Sequence, residues 1–207
     1  MSEPSRQSHW ENVYTVKAET DVSWFEANAD VSLDLISRYG ADKHSLIDIG
    51  GGASRLVDAL LAEGKFHEIA VLDLSSAALD VAKKRIGPAA RAIEWIAEDV
   101  TRWTPVSTYD IWHDRAAFHF LTDAADRTAY VTRLKQALNP GGLVIIATFA
   151  PDGPERCSGL PVVRYNPEAL AKVLGPDFEL VDERSYVHKT PWGAEQSFQF
   201  SVLRRIA

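Results

Sequence analysis

At 207 residues, 46% hydrophobic and 25% charged, the chain has apolar material for one sizeable core and too little length for two comfortable domains. Twenty-two Lys and Arg against 29 Asp and Glu leave a net charge of −7, a field that repels polyanions and counts against nucleic acid or an anionic membrane as partner. The lone cysteine, Cys157, excludes an intrachain disulfide framework and suits a reducing compartment. No apolar run reaches transmembrane length, and the first ten residues lack the apolar core of a signal peptide, so the expected location is cytoplasmic.

Residues 1–8 are polar and expected to fray. Aromatics then recur in a polar setting, Trp10, Tyr14, Trp24 and Phe25, and so much aromatic surface in a terminal arm should dock somewhere. Val31, Leu33, Leu35, Ile36 and Tyr39 predict a helix that stops at Gly40. A rhythm follows. The run Leu46–Ile49 ends in glycines, and Leu56, Val57, Leu60 and Leu61 predict a helix closed near Gly64. The run Ile69–Leu74 carries Asp73 near its end, and Ala77–Ile86 reads as a helix capped by Ser75 or Ser76 and stopped by Gly87-Pro88. Ala92–Ala97 leads into Glu98-Asp99, and Tyr109–His113 into Asp114-Arg115. Residues 123–138 read as a helix ending at the turn Asn139-Pro-Gly-Gly142, before the apolar run Leu143–Phe149.

Apolar strands alternating with amphipathic helices predict a doubly wound, mostly parallel sheet covered on both faces. Phe178–His188 and Ser197–Arg205 break the rhythm: nothing helical fits between them, so they form a hairpin with one strand antiparallel to the rest.

In such sheets the ligand lies beyond the carboxyl ends of the strands. The first of these ends is Leu46-Ile-Asp-Ile-Gly-Gly-Gly-Ala-Ser-Arg55. A dinucleotide turn has the spacing G-x-G-x-x-G, but the third position after Gly52 is Arg55, bulk where close helix packing needs none. Asp48, two residues before the turn, sits awkwardly beside a pyrophosphate and suits an ammonium group. These residues imply a ligand that bears adenosine, is cationic and lacks phosphate, conditions that S-adenosylmethionine (SAM) meets.

Asp48-x-Gly50-x-Gly52 resembles the first motif of the class I SAM-dependent methyltransferases, with Ser54 in place of the final glycine. Asp73 resembles the acid that accepts both ribose hydroxyls, and Asp99 the acid that meets the adenine amino group, with Leu74 and Val100 beside them. "YDIWHDRAAFHFL" (109–121) resembles the fourth-strand motif next to the transferred methyl. The resemblance covers roughly residues 40–150 and implies a Rossmann-like α/β fold with a seven-stranded sheet, order 3-2-1-4-5-7-6, strand 7 antiparallel. It also implies SAM as methyl donor, S-adenosylhomocysteine as product, and no metal. Gly50, Gly51, Gly52 and His113 are expected at the cofactor.

The arm resembles those of elongation-factor lysine methyltransferases and, more loosely, of thiopurine-type enzymes. It is expected as residues 1–30, a lid on one domain of residues 31–207, with Tyr14 or Trp24 over the methionine end. Asp114 and His119 are candidate catalytic groups, His119 equally a packing residue. Arg115, Arg156, Arg164, Tyr165, Lys189, Trp192 and Gln196 lie on stretches expected at the same sheet edge, to line an acceptor site or merely meet solvent. Trp95, Trp103 and Trp112 are expected in the core or at its rim.

The acceptor is then a small molecule, or alternatively a protein lysine. The amino-methylating nucleic-acid signature is absent after strand four. A nicotinamide oxidoreductase and a SAM-binding protein without catalysis are the competing readings.

Overall fold

The computed structural model describes residues 5–207. Seven strands form one sheet in the order β3-β2-β1-β4-β5-β9-β8. They are β1 (Ser45–Ile49), β2 (Glu68–Asp73), β3 (Ile93–Ala97), β4 (Tyr109–Arg115), β5 (Leu138–Phe149), β8 (Phe178–Lys189) and β9 (Glu195–Arg205). Two-residue strands β6 (Arg156–Cys157) and β7 (Leu160–Pro161) make a separate ribbon after β5. With that ribbon set aside, the order is the expected 3-2-1-4-5-7-6, and β9 runs antiparallel to both β5 and β8.

The helices are α1 (Arg6–Val16), α2 (Asp30–Tyr39), α3 (Leu56–Glu63), α4 (Ser76–Ile86), α5 (Ala124–Ala137) and α6 (Pro167–Leu174). Strand β1 is buried at every residue because helices cover both its faces. Leu46 packs with Leu35 and Ile36 of α2, Leu56 and Leu60 of α3, and Leu79 of α4. Its neighbour Ile47 points the other way, toward Tyr130 and Leu134 of α5 and Leu170 of α6. Trp103 and Trp112 are buried in that second cluster, where the Trp112 indole donates to the Tyr130 hydroxyl at 2.7 Å. Trp95 is partly buried against the first.

Three differences from the sequence reading have local causes. Residues 1–4 of the segment expected to fray lie outside the described residues; residues 5–8 are ordered, because Ser5 caps α1 by accepting from the Ser8 N–H at 3.2 Å. Helix α1 was not expected: it buries only Val13 in its own right and shows no apolar periodicity. Asn139-Pro-Gly-Gly142 is no free turn but the irregular start of β5. Leu138 pairs with Tyr109, the register shifts before Ile111, Gly141 takes φ 71°, and the Asn139 amide donates to Asp110 at 2.9 Å. Among the described residues, no helix is long and apolar enough to cross a membrane.

Candidate active site

The loops after β1 to β4 meet beneath α1 and the segment 17–29. Two adjoining cavities open there, sharing Tyr14, Trp24, Gly50 and Arg115. The first is lined by Asp73 and Leu74 after β2, by Glu98, Asp99 and Val100 after β3, and by Ala116, Ala117, Phe120 and Leu121 after β4. The second is lined by the glycine turn, Asp48 and Arg55, facing Glu19 and Glu26 of the linker.

The turn itself demands glycine at two points. Gly50 has φ 66°, and a Cβ there would lie 2.6 Å from the Ala117 Cβ. Gly52 has φ 41°, and its Cβ would fall 2.8 Å from Asp73 Oδ2. The glycine therefore makes room for the Asp73 carboxylate, and that cradle fits a diol or another paired donor. Asp73 Oδ1 accepts from the Ser75 N–H at 2.8 Å, leaving Oδ2 toward the turn. Burial, with Asp48 and Glu11 nearby, pushes Asp73 up to about 7. Asp99 Oδ1 accepts from the backbone and hydroxyl of Thr101 at 2.9 and 2.7 Å, while Arg6 reaches Oδ2 at 3.6 Å and Asp126 at 2.9 Å.

Sequence reasoning missed how the arm is tied down. Glu11 caps α4, accepting from the hydroxyls of Ser75 and Ser76 at 2.8 and 3.0 Å and from the Ala77 N–H. Glu19 joins Arg55 and Arg85, each at 2.5 Å, and Arg85 continues to Asp58 at 2.6 Å. Trp10 meets Trp24 and Phe120 edge-on at 5.4 and 5.0 Å, closing an aromatic roof. A signal existed: Arg6, Trp10 and Tyr14 recur every fourth residue, and all three line the first cavity. Glu11→Ala should remove the carboxylate that ties the arm to Ser75, Ser76 and Ala77, while Ser75 still caps α4, and cost about 1 kcal/mol, read as faster proteolysis within residues 5–29.

Several expected site residues lie elsewhere. His113 borders the second cavity, but its Nδ1 meets Asp48 Oδ1 of β1 at 2.6 Å and its Nε2 meets Ser32 of α2 at 2.8 Å, so both nitrogens are engaged within the fold. Asp114 is fully buried and turned toward α5, accepting from the N–H groups of Ala117 and Phe118 and from the Tyr130 hydroxyl. It shapes the loop and lines neither of the two cavities. His119 is buried between Phe120 and Phe149, and burial pushes its ring down to about 3.

The acceptor candidates divide in the same way. Arg115 lines both cavities. Arg164 turns back to Gly153 and Glu155, and Tyr165 packs on Phe118. Arg156 bonds the Gly159 carbonyl. Lys189 borders an outer groove and pairs with Glu195, Trp192 is 63% exposed in the hairpin turn, and Gln196 lines neither cavity. The reason is geometric: the long β8–β9 hairpin carries its turn past the strand ends that hold the site. Cys157, expected as a packed residue, is buried and also lines the first cavity, its thiol pushed up to about 11 by burial.

A family model described as a methyltransferase domain matches residues 47–144. The malonyl-[acyl-carrier protein] O-methyltransferase of Halalkalibacterium halodurans is 30% identical over 157 residues, 73% of this chain and 53% of that protein. The chain spans about half the length of the curated relatives it matches. Among solved structures, a SAM-dependent methyltransferase from Anabaena variabilis superposes with TM-score 0.73 at 16% identity, covering 98% of this chain and 96% of its own. The N-methyltransferase NodS from Bradyrhizobium japonicum, in complex with S-adenosylhomocysteine, gives 0.72 at 15%, covering 98% and 100%. At these identities the structures speak to the fold.

Proposed function

We infer that the chain is a class I SAM-dependent methyltransferase, and from that premise propose that it transfers a methyl group from SAM to a small molecule. The observation that carries the reading is the Asp73 carboxylate lodged 2.8 Å from where a Cβ on Gly52 would sit, beside cavities lined by Asp99 at one end and Asp48 at the other. Bound SAM supplies a methyl already activated by a sulfonium. The residues supply position. Asp73 accepts from the ribose hydroxyls, and Leu74, Asp99 and Val100 frame the adenine. Gly50, Gly51 and Gly52 let the backbone approach the amino-acid end, and Asp48 adds negative charge there.

The arm, residues 1–30, acts as a lid whose Tyr14 and Trp24 exclude water from the site in residues 31–207. The first cavity is roofed by Trp10 and Trp24, and an acceptor taken up beneath them would be a small molecule in preference to a protein side chain. The names of the similar proteins include both an O- and an N-methyltransferase, so the receiving atom is a separate question. Incubation of the full chain with methyl-labelled SAM and separated metabolite and protein pools tests the reading. Label in the acid-soluble fraction is the expected result; label in acid-precipitated protein alone favours the lysine alternative and contradicts the small-molecule reading.

A further inference from the structure

Among the described residues two cations line the first cavity, Arg6 and Arg115. Arg115 is held by the Trp24 carbonyl and by Glu26. Arg6, from the first turn of α1, stands beside Asp99, and its guanidinium lies between two carboxylates. Nη2 pairs with Asp126, in the first turn of α5, at 2.9 Å, and lies 3.6 Å from Asp99 Oδ2. The longer distance is a charge contact and not a hydrogen bond.

Asp99 is therefore half used. Its Oδ1 accepts from the N–H and hydroxyl of Thr101 at 2.9 and 2.7 Å, which fixes the carboxylate. Its Oδ2 accepts no hydrogen bond among the described residues, and the residue lines the cavity. A lone carboxylate there would draw a cation. Arg6 carries donors only and keeps its charge, so it balances Asp99 and leaves Oδ2 to a neutral N–H donor. With side chains 32% and 33% exposed, the Arg6–Asp126 pair adds little to the fold by itself. Its consequence lies at Asp99.

The rest of α1 follows the same line. Tyr14 comes eight residues after Arg6, about 12 Å along the helix. Its hydroxyl and Asp73 Oδ2 lie 3.4 and 2.8 Å from where a Cβ on Gly52 would sit. Between them Glu11 accepts from the hydroxyl of Ser75, whose N–H holds Asp73 Oδ1. One helix thus reaches the surroundings of Asp73 through Glu11 and Tyr14, and Asp99 through Arg6.

We propose that Arg6 is a positioning residue for the nucleobase: it sets the Asp99 carboxylate so that Oδ2 takes the neutral exocyclic amino group of the adenosine, and it lays α1 across that edge of the base. This rests on the cofactor reading above. Asp126 lines neither cavity, so its influence on the base passes through Arg6.

The test separates a role at the amino group from a role in merely closing the arm. S-adenosylhomocysteine, and its analogue with hydrogen in place of the purine amino group, are titrated calorimetrically into the full chain. The unaltered chain is expected to bind the analogue roughly ten-fold or more weakly, the loss of one charge-assisted hydrogen bond. In Arg6→Gln the parent ligand should weaken several-fold and the analogue little, so that the ratio falls to about two- or three-fold. Asp126→Asn should lower the ratio in the same direction by less. Glu11→Gln loosens the same helix beside Asp73, so it should weaken both ligands alike and leave the ratio unchanged. An unchanged ratio in both Arg6→Gln and Asp126→Asn, or an equal fall in Glu11→Gln, overturns the assignment of Arg6. So does equal binding of the two ligands by the unaltered chain. Failure of that chain to bind S-adenosylhomocysteine at all overturns the cofactor reading itself.

Discussion

Asp73→Ala is expected to weaken S-adenosylhomocysteine binding by about 1.5–3 kcal/mol, roughly 10- to 150-fold in Kd, the range for losing charge-assisted hydrogen bonds. The carboxylate is nearly buried, its Oδ1 is held by the Ser75 N–H, and a glycine has been kept where any side chain would collide with Oδ2. Its protonation should also be visible. Burial pushes Asp73 up to about 7 from the ordinary value of 3.8, so the ligand-free fold favours the protonated acid. This group's contribution to stability is therefore fully present below the unfolded value and is lost as pH rises through about 7. Ligand affinity should move the opposite way, because ribose hydroxyls donate to the carboxylate and not to the acid's own O–H. Thermal melts at pH 5.5 and pH 8, with and without S-adenosylhomocysteine, check both slopes; Asp73→Asn should flatten them. An affinity unchanged in Asp73→Ala removes this residue from the site.

Asp114→Ala is expected to cost about 3 kcal/mol of stability, because the N–H groups of Ala117 and Phe118 and the Tyr130 hydroxyl lose their buried acceptor. For a chain of 207 residues that is a fall in Tm of roughly 6–12 °C. Asp114→Asn should cost less. It keeps an oxygen for the loop and removes a charge whose burial pushes the acid up to about 6 against the pull of its donors. Denaturant melts and kcat measured together separate this role from a catalytic one. A base is lost in the asparagine variant at unchanged stability, whereas a loop anchor shows the destabilisation of the alanine variant and retains transfer in the asparagine variant.

What the sequence made legible follows from which interactions leave a local pattern. The central strands could be read because helices bury both faces, so runs such as Leu46–Ile49 and Leu143–Phe149 are buried throughout and apolar at all but Asp48 and Thr148. Asp73 and Asp99 could be placed because strand ends in a parallel sheet share one edge. The roles of His113, Asp114 and His119 could not. Adjacent strand residues point to opposite faces, and which face holds ligand or core depends on Ser32, Tyr130 and Phe149 from distant parts of the chain. Helix α1 escaped for a related reason: its stability comes from Glu11, Arg6 and Trp10 docking elsewhere, not from an apolar stripe of its own. The hairpin candidates Lys189, Trp192 and Gln196 were placed by strand direction alone, which carries no information on how far a hairpin overshoots its sheet.

The arm's ties also bear on how the site works. Glu11 at the α4 cap, Glu19 on Arg55 and Arg85, and the Trp24 carbonyl on Arg115 fasten residues 5–29 over both cavities at separate points. If the arm acts as the proposed lid, ligand exchange requires several weak polar contacts to open together, each worth little alone.

Calorimetric titration of S-adenosylhomocysteine into the full chain tests the central claim most directly, with NADH as the matched control. The expected result is saturable binding at one site, weakened in Asp73→Ala, and no heat from NADH. Binding of NADH with none of S-adenosylhomocysteine would contradict it.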